Sequence, residues 1–315
     1  MATSTSITTT YAGEFAGKYI SAALLSGDTL DKGNIEIKPN VKYKEVIKTF
    51  ASDSNVIKDA TCDFTDTATI TLDERVLQPE EFQVNLELCK KDFRSDWEAI
   101  QMGYSAYDNL PPKFSDFLIG HVAAKVAQKT EQNIWGGVTG NAGEFDGFTV
   151  SMAADANVND AANGAETSFT SSNIVTLLSN VVDAIPNAVY GKEDLKIYVP
   201  PVAYQAYIRH LGGYGANGLG AAGYRSEGNQ WYNNNASLSF EGIEVLYTPG
   251  MPSDHIVAGQ KSNLYFGTGL ISDHNEVKVL DMADLDGSQN VRVIMRFTAG
   301  VQYGIGSDLV LLTLA

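Results

Sequence analysis

The chain has 315 residues, with 22 lysines and arginines against 38 aspartates and glutamates, a formal charge of −16. Hydrophobic residues make up 44 % and charged residues 19 %; that much apolar side chain offsets the entropy of ordering, which argues against disorder as the main state. The acidic balance argues against sequence-independent grip on nucleic acid, which needs clustered lysine and arginine against phosphate.

The 29 glycines and 15 tyrosines point to many turns and to surface that is amphipathic more than charged, as buried contacts between subunits tend to be. Met1 to Thr10 carry neither charge nor an apolar core, so no secretory signal is expected. No run of 18 apolar residues occurs, and no transmembrane helix is expected. Cys62 and Cys89 fit no zinc spacing and form no CxxC, so both are expected as free thiols in a reducing compartment.

In chain order, residues 1–10 read as a Ser/Thr-rich flexible start. Tyr11, Phe15, Tyr19 and Ala22 stand at helical spacing, which predicts a short amphipathic helix over 11–26 with Gly27 as its C-cap. Residues 33–50 and 61–77 alternate in part and are rich in β-branched and aromatic side chains. They predict a long two-stranded excursion with a loose tip. An isolated ribbon of two strands is marginal in water, so this arm asks for a partner surface. Phe82, Val84, Leu86 and Leu88 alternate as a strand, and Phe93, Trp97 and Ile100 then follow helical spacing.

From Pro111 to Asn133 the stripe Phe114, Leu118, Val122, Val126 predicts a strong helix, ended by Gly136-Gly137. Its length is roughly 35 Å at 1.5 Å per residue. Residues 138–170 show little periodicity. A helix is expected from about Asn173 to Ile185, capped by Ser171 or Ser172 and ended by Pro186. Then come a buried strand at 195–199, a helix opened by Pro200-Pro201 and running through Leu211, and a Gly-, Asn- and aromatic-rich loop over 212–237. A structureless loop above about 15 residues is usually functional or an interface. Strands follow at 240–247, 255–258, 263–266 and 276–281. In the last segment Val291, Val293, Met295, Phe297, Ala299, Val301, Tyr303 and Ile305 share one face, and this strand runs on into the apolar stretch Leu309–Leu314.

Chemistry is scarce. Gly213, Gly215 and Gly218 satisfy GxGxxG, but a helix precedes them where dinucleotide binding needs a strand. The Gly-Lys pairs at 17–18 and 191–192 lack the P-loop's following Ser or Thr, and no GxSxG nucleophile elbow occurs. Placing Gly287 at the sixth position of a calcium loop puts Met282 first and Val293 twelfth, which excludes an EF-hand. His121, His210, His255 and His274 show no ligand spacing, and the adjacent pairs Asp254-His255 and Asp273-His274 do not by themselves aim one side chain at the other. No catalytic, cofactor-binding or metal residue is assigned. Tyr207, Tyr214, Tyr224, Trp231 and Tyr232 cluster in and around the glycine-rich loop. Arg209 and Arg225 are the only positive charges near them, so contact with neighbouring subunits fits better than stacking on nucleic acid.

The order of segments resembles the tailed-phage major capsid proteins with the HK97-like fold. The resemblance rests on YAGEFAGKYISAAL, the hairpin from 33 to 77, LQPEEFQVNLELCKKDF, and the helix ending in Ile134-Trp135-Gly136-Gly137. FDGF at 145–148, LKIYVPPVAYQAYIRHL at 195–211, FEGIEVLYTPGMPSD, SNLYFGTGLISDHNEVKVLDM and the C-terminal VRVIMRFTAGVQYGIGSDLVL complete it. It implies an α+β chain with an N-terminal arm (1–30), an extended hairpin loop (31–77), a peripheral domain with a long spine helix (78–145 and 283–315) and an axial domain (146–282). Tyr214, Asn217, Tyr224, Arg225 and Trp231 would then stand in a loop at the capsomer axis. The function implied is assembly, as hexamers and pentamers, into the icosahedral shell of a virion. Portal, scaffold or decoration proteins are the implied partners, and double-stranded DNA would be enclosed without sequence-specific binding. The resemblance implies no enzyme, cofactor or membrane contact, and assembly in the host cytoplasm. The shell protein of a bacterial nanocompartment, an encapsulin, is the alternative of the same fold. The departure is the missing N-terminal scaffolding segment that some members carry, and no lysine, asparagine and acid can be placed as a cross-linking trio.

Overall fold

The computed structural model describes residues 9–12, 28–52, 57–60, 62, 69–89, 112–211, 238–269, 276–282, 287–288 and 290–315. In chain order these hold β1 (Thr9–Ala12), α1 (Asp28–Asp31), β2 (Glu36–Lys38), β3 (Glu45–Ser52), β4 (Ile70–Leu77), β5 (Glu80–Cys89), α2 (Pro112–Gly136), α3 (Phe148–Ala153) and β6 (Asn159–Asp160). Then follow α4 (Ile174–Asp183), β7 (Leu195–Val199), α5 (Pro201–Leu211), β8 (Leu238–Phe240), β9 (Ile243–Tyr247), β10 (His255–Gln260), β11 (Leu264–Thr268), β12 (Glu276–Asp281), β13 (Asn290–Tyr303) and β14 (Val310–Thr313).

Helix and sheet mix as expected, in two sheets and a ribbon. The first sheet is built on β13, the strand with the clearest alternation in the chain. β12 pairs antiparallel with Val291–Arg296, β11 with Ala299–Tyr303, and β5 with Asn290–Ala299 along the opposite edge. β1 pairs with β12, and β2 runs parallel to β11. The second sheet has the order β6-β14-β10-β7-β9-β8. β3 and β4 pair only with each other.

Period-2 side-chain placement puts the two faces of the second sheet into two cores. Tyr198, Val257, Leu309 and Leu311 pack with α2, α3 and the buried face of β13. Ile197, Val199, Ile256, Val310 and Leu312 lie on the other face under α4 and α5. Tyr198, wholly buried, donates its hydroxyl to the Asn34 carbonyl at 2.6 Å.

Several boundaries differ from the sequence reading, each for a tertiary reason. Tyr11 and Ala12, expected in the arm helix over 11–26, are in β1, where the open edge of β12 pairs their backbone; residues 13–27 lie outside the described residues. The hairpin's first strand begins at Glu45 and not at 33, because 36–38 join β11 and Val41, 2 % exposed, donates its amide to the Thr268 carbonyl at 3.2 Å. The long helix runs three residues further, to Gly136. Gly137 follows it, where the Phe145 carbonyl comes so close that a Cβ would overlap it. Neither Ser171 nor Ser172 caps α4; Asn173 stands at the cap and uses its side chain on the Thr170 amide, Glu166 and the Ser168 carbonyl.

The C-terminal run is not one strand. β13 ends at Tyr303 because Asn263 clamps the turn: its Oδ1 accepts the Gly304 and Ile305 amides at 3.1 and 2.8 Å, and its Nδ2 donates to the Ile305 carbonyl at 2.8 Å. β14 then crosses to the second sheet. The sheets therefore cut the chain differently from the segments 78–145 with 283–315 and 146–282, since β11 and β12 pair with β13 while β14 pairs with β10.

Candidate assembly interface

Register decides what the β3–β4 ribbon presents. Val46 stands opposite Val76, Lys48 opposite Glu74, Phe50 opposite Leu72 and Ser52 opposite Ile70. Alternation puts these residues on one face. That face is apolar apart from the Lys48–Glu74 pair and Ser52, and it is turned to solvent: Phe50 is 78 % exposed, Ile70 72 % and Leu72 53 %. The opposite face carries Glu45, Ile47, Thr49, Arg75 and Leu77, which are buried or half-buried, and Thr71 and Asp73, which are exposed. Near its base the ribbon rests this mixed face against its own body and leaves the more apolar face in water, an arrangement inverted relative to a surface hairpin. Exposed apolar side chains grouped on one face are the kind of surface that interactions use.

The ribbon's base is fastened at three points. Leu77 is fully buried and covers Gly267 of β11, where a Cβ would meet its Cδ2 at 2.9 Å. Lys38 pairs with Glu45 at 2.7 Å and stands 5.2 Å from the centre of the Tyr265 ring. Arg75 pairs with Asp155 and lies 4.4 Å above the Tyr303 ring, while the Tyr303 hydroxyl donates to Asp155 at 2.9 Å. Burial pushes the Asp155 carboxyl up, but donors at the Asn157 amide, Arg75 and Tyr303 outweigh it and lower it to about 2. Burial, and then the Asp155 acceptor, push the Tyr303 phenol up to about 12.

A carboxylate depressed on folding contributes stability that is present above its unfolded pKa and lost as pH falls through the folded one. Denaturant midpoints should therefore drop between about pH 4 and about pH 2 by an amount worth roughly 1–2 kcal/mol, allowing for solvent screening. Asp155→Asn should be less stable at neutral pH and should flatten that part of the profile. An unchanged profile would show that Asp155 does not hold the ribbon's base.

A second polar cluster fixes the start of the body. Glu131 of α2, buried, accepts from the Thr29 amide at 3.1 Å and from the Thr29 hydroxyl. Trp135 donates its indole N–H to that hydroxyl at 3.0 Å. One carboxylate and one indole thus bind the first turn of α1 to the C-terminal half of the long helix.

Tyr214, Asn217, Tyr224, Arg225 and Trp231 lie in 212–237, outside the described residues. The two ends of that segment are described and are held together: Tyr207 of α5 donates its hydroxyl to the Ser239 carbonyl at 2.8 Å, and its ring meets Phe240 edge-on at 6.1 Å. The GxGxxG glycines and His274 also fall outside the described residues. Of the adjacent acid–histidine pairs, Asp254 and His255 do meet, with His255 Nδ1 2.7 Å from the carboxylate, a contact that adjacency alone did not settle. Cys62 is exposed, Cys89 half-buried, and both are free. Among the described residues no group of acidic, histidine or cysteine side chains could hold a metal ion, and no helix is long and apolar enough to cross a membrane.

Arg75 and Asp155 were not singled out by sequence, and Tyr303 was read only as one residue on a face of the last strand. Arg75 is the lone arginine of the ribbon, the one signal available; Asp155 sits in the stretch with no periodicity.

No family model matches the chain, and no curated protein matches it in sequence. Solved structures match its fold nearly end to end. The capsid of a native GTA particle is 16 % identical with a TM-score of 0.61, covering 94 % of this chain and 91 % of that one. The capsid of the Myoviridae phage XM1 is 13 % identical with a TM-score of 0.55, covering 100 % and 96 %. The procapsid of satellite phage P4 is 12 % identical with a TM-score of 0.53, covering 94 % and 96 %. The chain therefore has the fold of phage capsid chains.

Proposed function

We propose that this chain is a major capsid protein, a shell subunit that assembles with copies of itself into the closed head of a tailed phage. The end-to-end likeness in fold carries this reading. The inverted ribbon supports it, because a subunit destined for a shell can leave apolar surface in water that a monomer could not leave open without risk of aggregation. In this reading 1–30 is the N-terminal arm and 31–77 the extended loop reaching a neighbouring subunit. The peripheral domain is 78–145 with 283–315, α2 being its spine helix, and 146–282 is the axial domain, the two exchanging strands, since β11 and β12 pair with β13 while β14 pairs with β10. Tyr214, Asn217, Tyr224, Arg225 and Trp231 line the capsomer axis. Ring contacts of this kind are heterologous and close by symmetry into hexamers and pentamers.

The −16 charge fits an inner wall that does not hold packaged double-stranded DNA tightly. Portal, scaffold and decoration proteins are further partners, the virion is the destination, and the role is structural and not catalytic. No observation favours a bacterial compartment shell over this reading.

Expression of the full chain should give large closed particles, seen by negative-stain microscopy and by light scattering far above 33.9 kDa. A protein that stays monomeric at high concentration, even with its partner proteins, would sink the reading.

A further inference from the structure

An open groove of about 500 Å³ runs between α2 and the sheet strand β5. Its floor is apolar, with Phe82 and Val84 from β5 facing Val122 and Val126 from the helix. Leu86, 42 % exposed, stands on the strand wall. His121, Lys125 and Lys129 line the helix wall at i, i+4, i+8 spacing, and all three are exposed. Lys129 pairs with Glu144, while Lys125 makes no ion pair among the described residues.

Both walls lead to one segment of the chain. β5 ends at Cys89 and α2 begins at Pro112, so residues 90–111, outside the described residues, connect the strand wall to the helix wall. Their sequence matches the groove in shape and sign. Phe93, Trp97 and Ile100 stand at i, i+4, i+7, which on a helix makes one apolar stripe. Asp92 and Asp96 border that stripe on one side at i and i+4, the spacing at which His121 and Lys125 stand on α2. The chain is long enough for the fit. From Ile100 the stretch to Pro112 spans up to about 40 Å when extended, and α2 rises only roughly 25 Å from Pro112 to Lys129.

We propose that residues 90–111 of the same chain fill this groove, with Phe93, Trp97 and Ile100 against its apolar floor and Asp92 and Asp96 beside His121 and Lys125. The occupant is the subunit's own segment and not a second copy, so the inference does not rest on the shell reading. Burial of the three apolar side chains supplies the attraction. The carboxylates set the direction of the segment, because a reversed helix would turn them toward the strand wall and away from Lys125. Filled in this way, the groove takes no partner.

The test places the photo-reactive residue p-benzoylphenylalanine at Lys125, and separately at Leu86, in the full chain. Irradiation should give a product that keeps the mass of one chain on a denaturing gel, with the cross-linked peptide mapping to 90–111. A product of twice the chain mass, attachment to any other segment, or no attachment would overturn the proposal. The readout lies within one chain, so its failure leaves the shell reading standing, and a chain that forms no particles sinks the shell reading alone. Should the substituted chains fail to fold, hydrogen exchange with a charge swap decides. Amides of 93–101 should exchange at least about tenfold more slowly in the unmodified chain than in the free peptide 90–111. Asp96→Lys should remove that protection, and Asp96→Lys with Lys125→Asp should restore it. Protection that is absent from the unmodified chain, indifferent to Asp96→Lys, or not rescued by the swap refutes the docking.

Discussion

Phe50→Thr with Leu72→Thr is expected to leave the subunit folded and to abolish particles. Both side chains stand outside either core and face solvent, so unfolding free energy should move by no more than about 0.5 kcal/mol, the usual range for exposed sites. Threonine keeps strand preference, and Thr–Thr is a favourable cross-strand pair, which preserves the ribbon itself. Burying a Phe or Leu side chain is worth roughly 1.5–3 kcal/mol, so the pair forfeits about 3–6 kcal/mol at every ribbon contact. At 1.4 kcal/mol per decade this weakens each contact by about a hundredfold or more, and a shell repeats the contact throughout. Light scattering and denaturant melts on the same preparation separate the two effects. Full particle yield from the double variant would show that the outward face is not an interface. A large fall in stability would show that it packs within the subunit.

The second large effect is expected at the opposite extreme of burial. Trp135 is fully buried, with ring centres 5.5 Å from Phe148 and 5.0 Å from Tyr198, and its N–H holds Thr29. Trp135→Ala should cost about 3–5 kcal/mol, the range for deleting a large aromatic side chain from a core. Little space can close around it, since Gly147 already runs so near Trp135 that a Cβ there would strike its backbone at 2.6 Å. Trp135→Phe keeps a ring against Phe148 and Tyr198 and loses only the donor, so it should cost about 1 kcal/mol for the hydrogen bond plus a smaller packing loss. Denaturant unfolding of the two variants measures the split. Equal losses would mean that the Thr29 contact, and not the packed ring, carries the stabilisation.

The two residues mark what sequence reading can reach. Trp135 sits in the Ile134-Trp135-Gly136-Gly137 run that ended the expected helix, and its burial is legible as an apolar residue late on an apolar stripe. Its partner Thr29 is 106 positions away, and nothing local announces it. Phe50 and Leu72 read as strand residues from alternation alone, and the need for a partner surface followed from the marginal stability of two strands. Which face they occupy relative to the body did not follow, because alternation defines two faces without saying which one is inward. That choice is made at the base, by Arg75 on Asp155 and Leu77 on Gly267, contacts that span 80 and 190 positions.

The long strand shows the same division within one segment. Val291 to Tyr303 alternate so regularly that the strand and its buried face were readable residue by residue, and β12 matches its expected bounds of 276–281. Gly304, Gly306, Ser307 and Asp308 do interrupt the apolar pattern beyond it, but the placing of the break directly after Tyr303 was not readable from them. It depends on Asn263, 42 positions upstream, taking up the amide and carbonyl of Ile305.

The sequence by itself determined the classes of element, the main helices and strands, the acidic charge and the absence of recognisable catalytic motifs, because periodicity and composition are local properties of the chain. Only the tertiary structure decided that β14 leaves β13 for another sheet, that β2 leaves the hairpin, and that the ribbon turns its apolar face outward. Each of those is set by side chains distant in sequence competing for the same backbone groups and the same buried space, and a one-dimensional pattern carries no record of that competition.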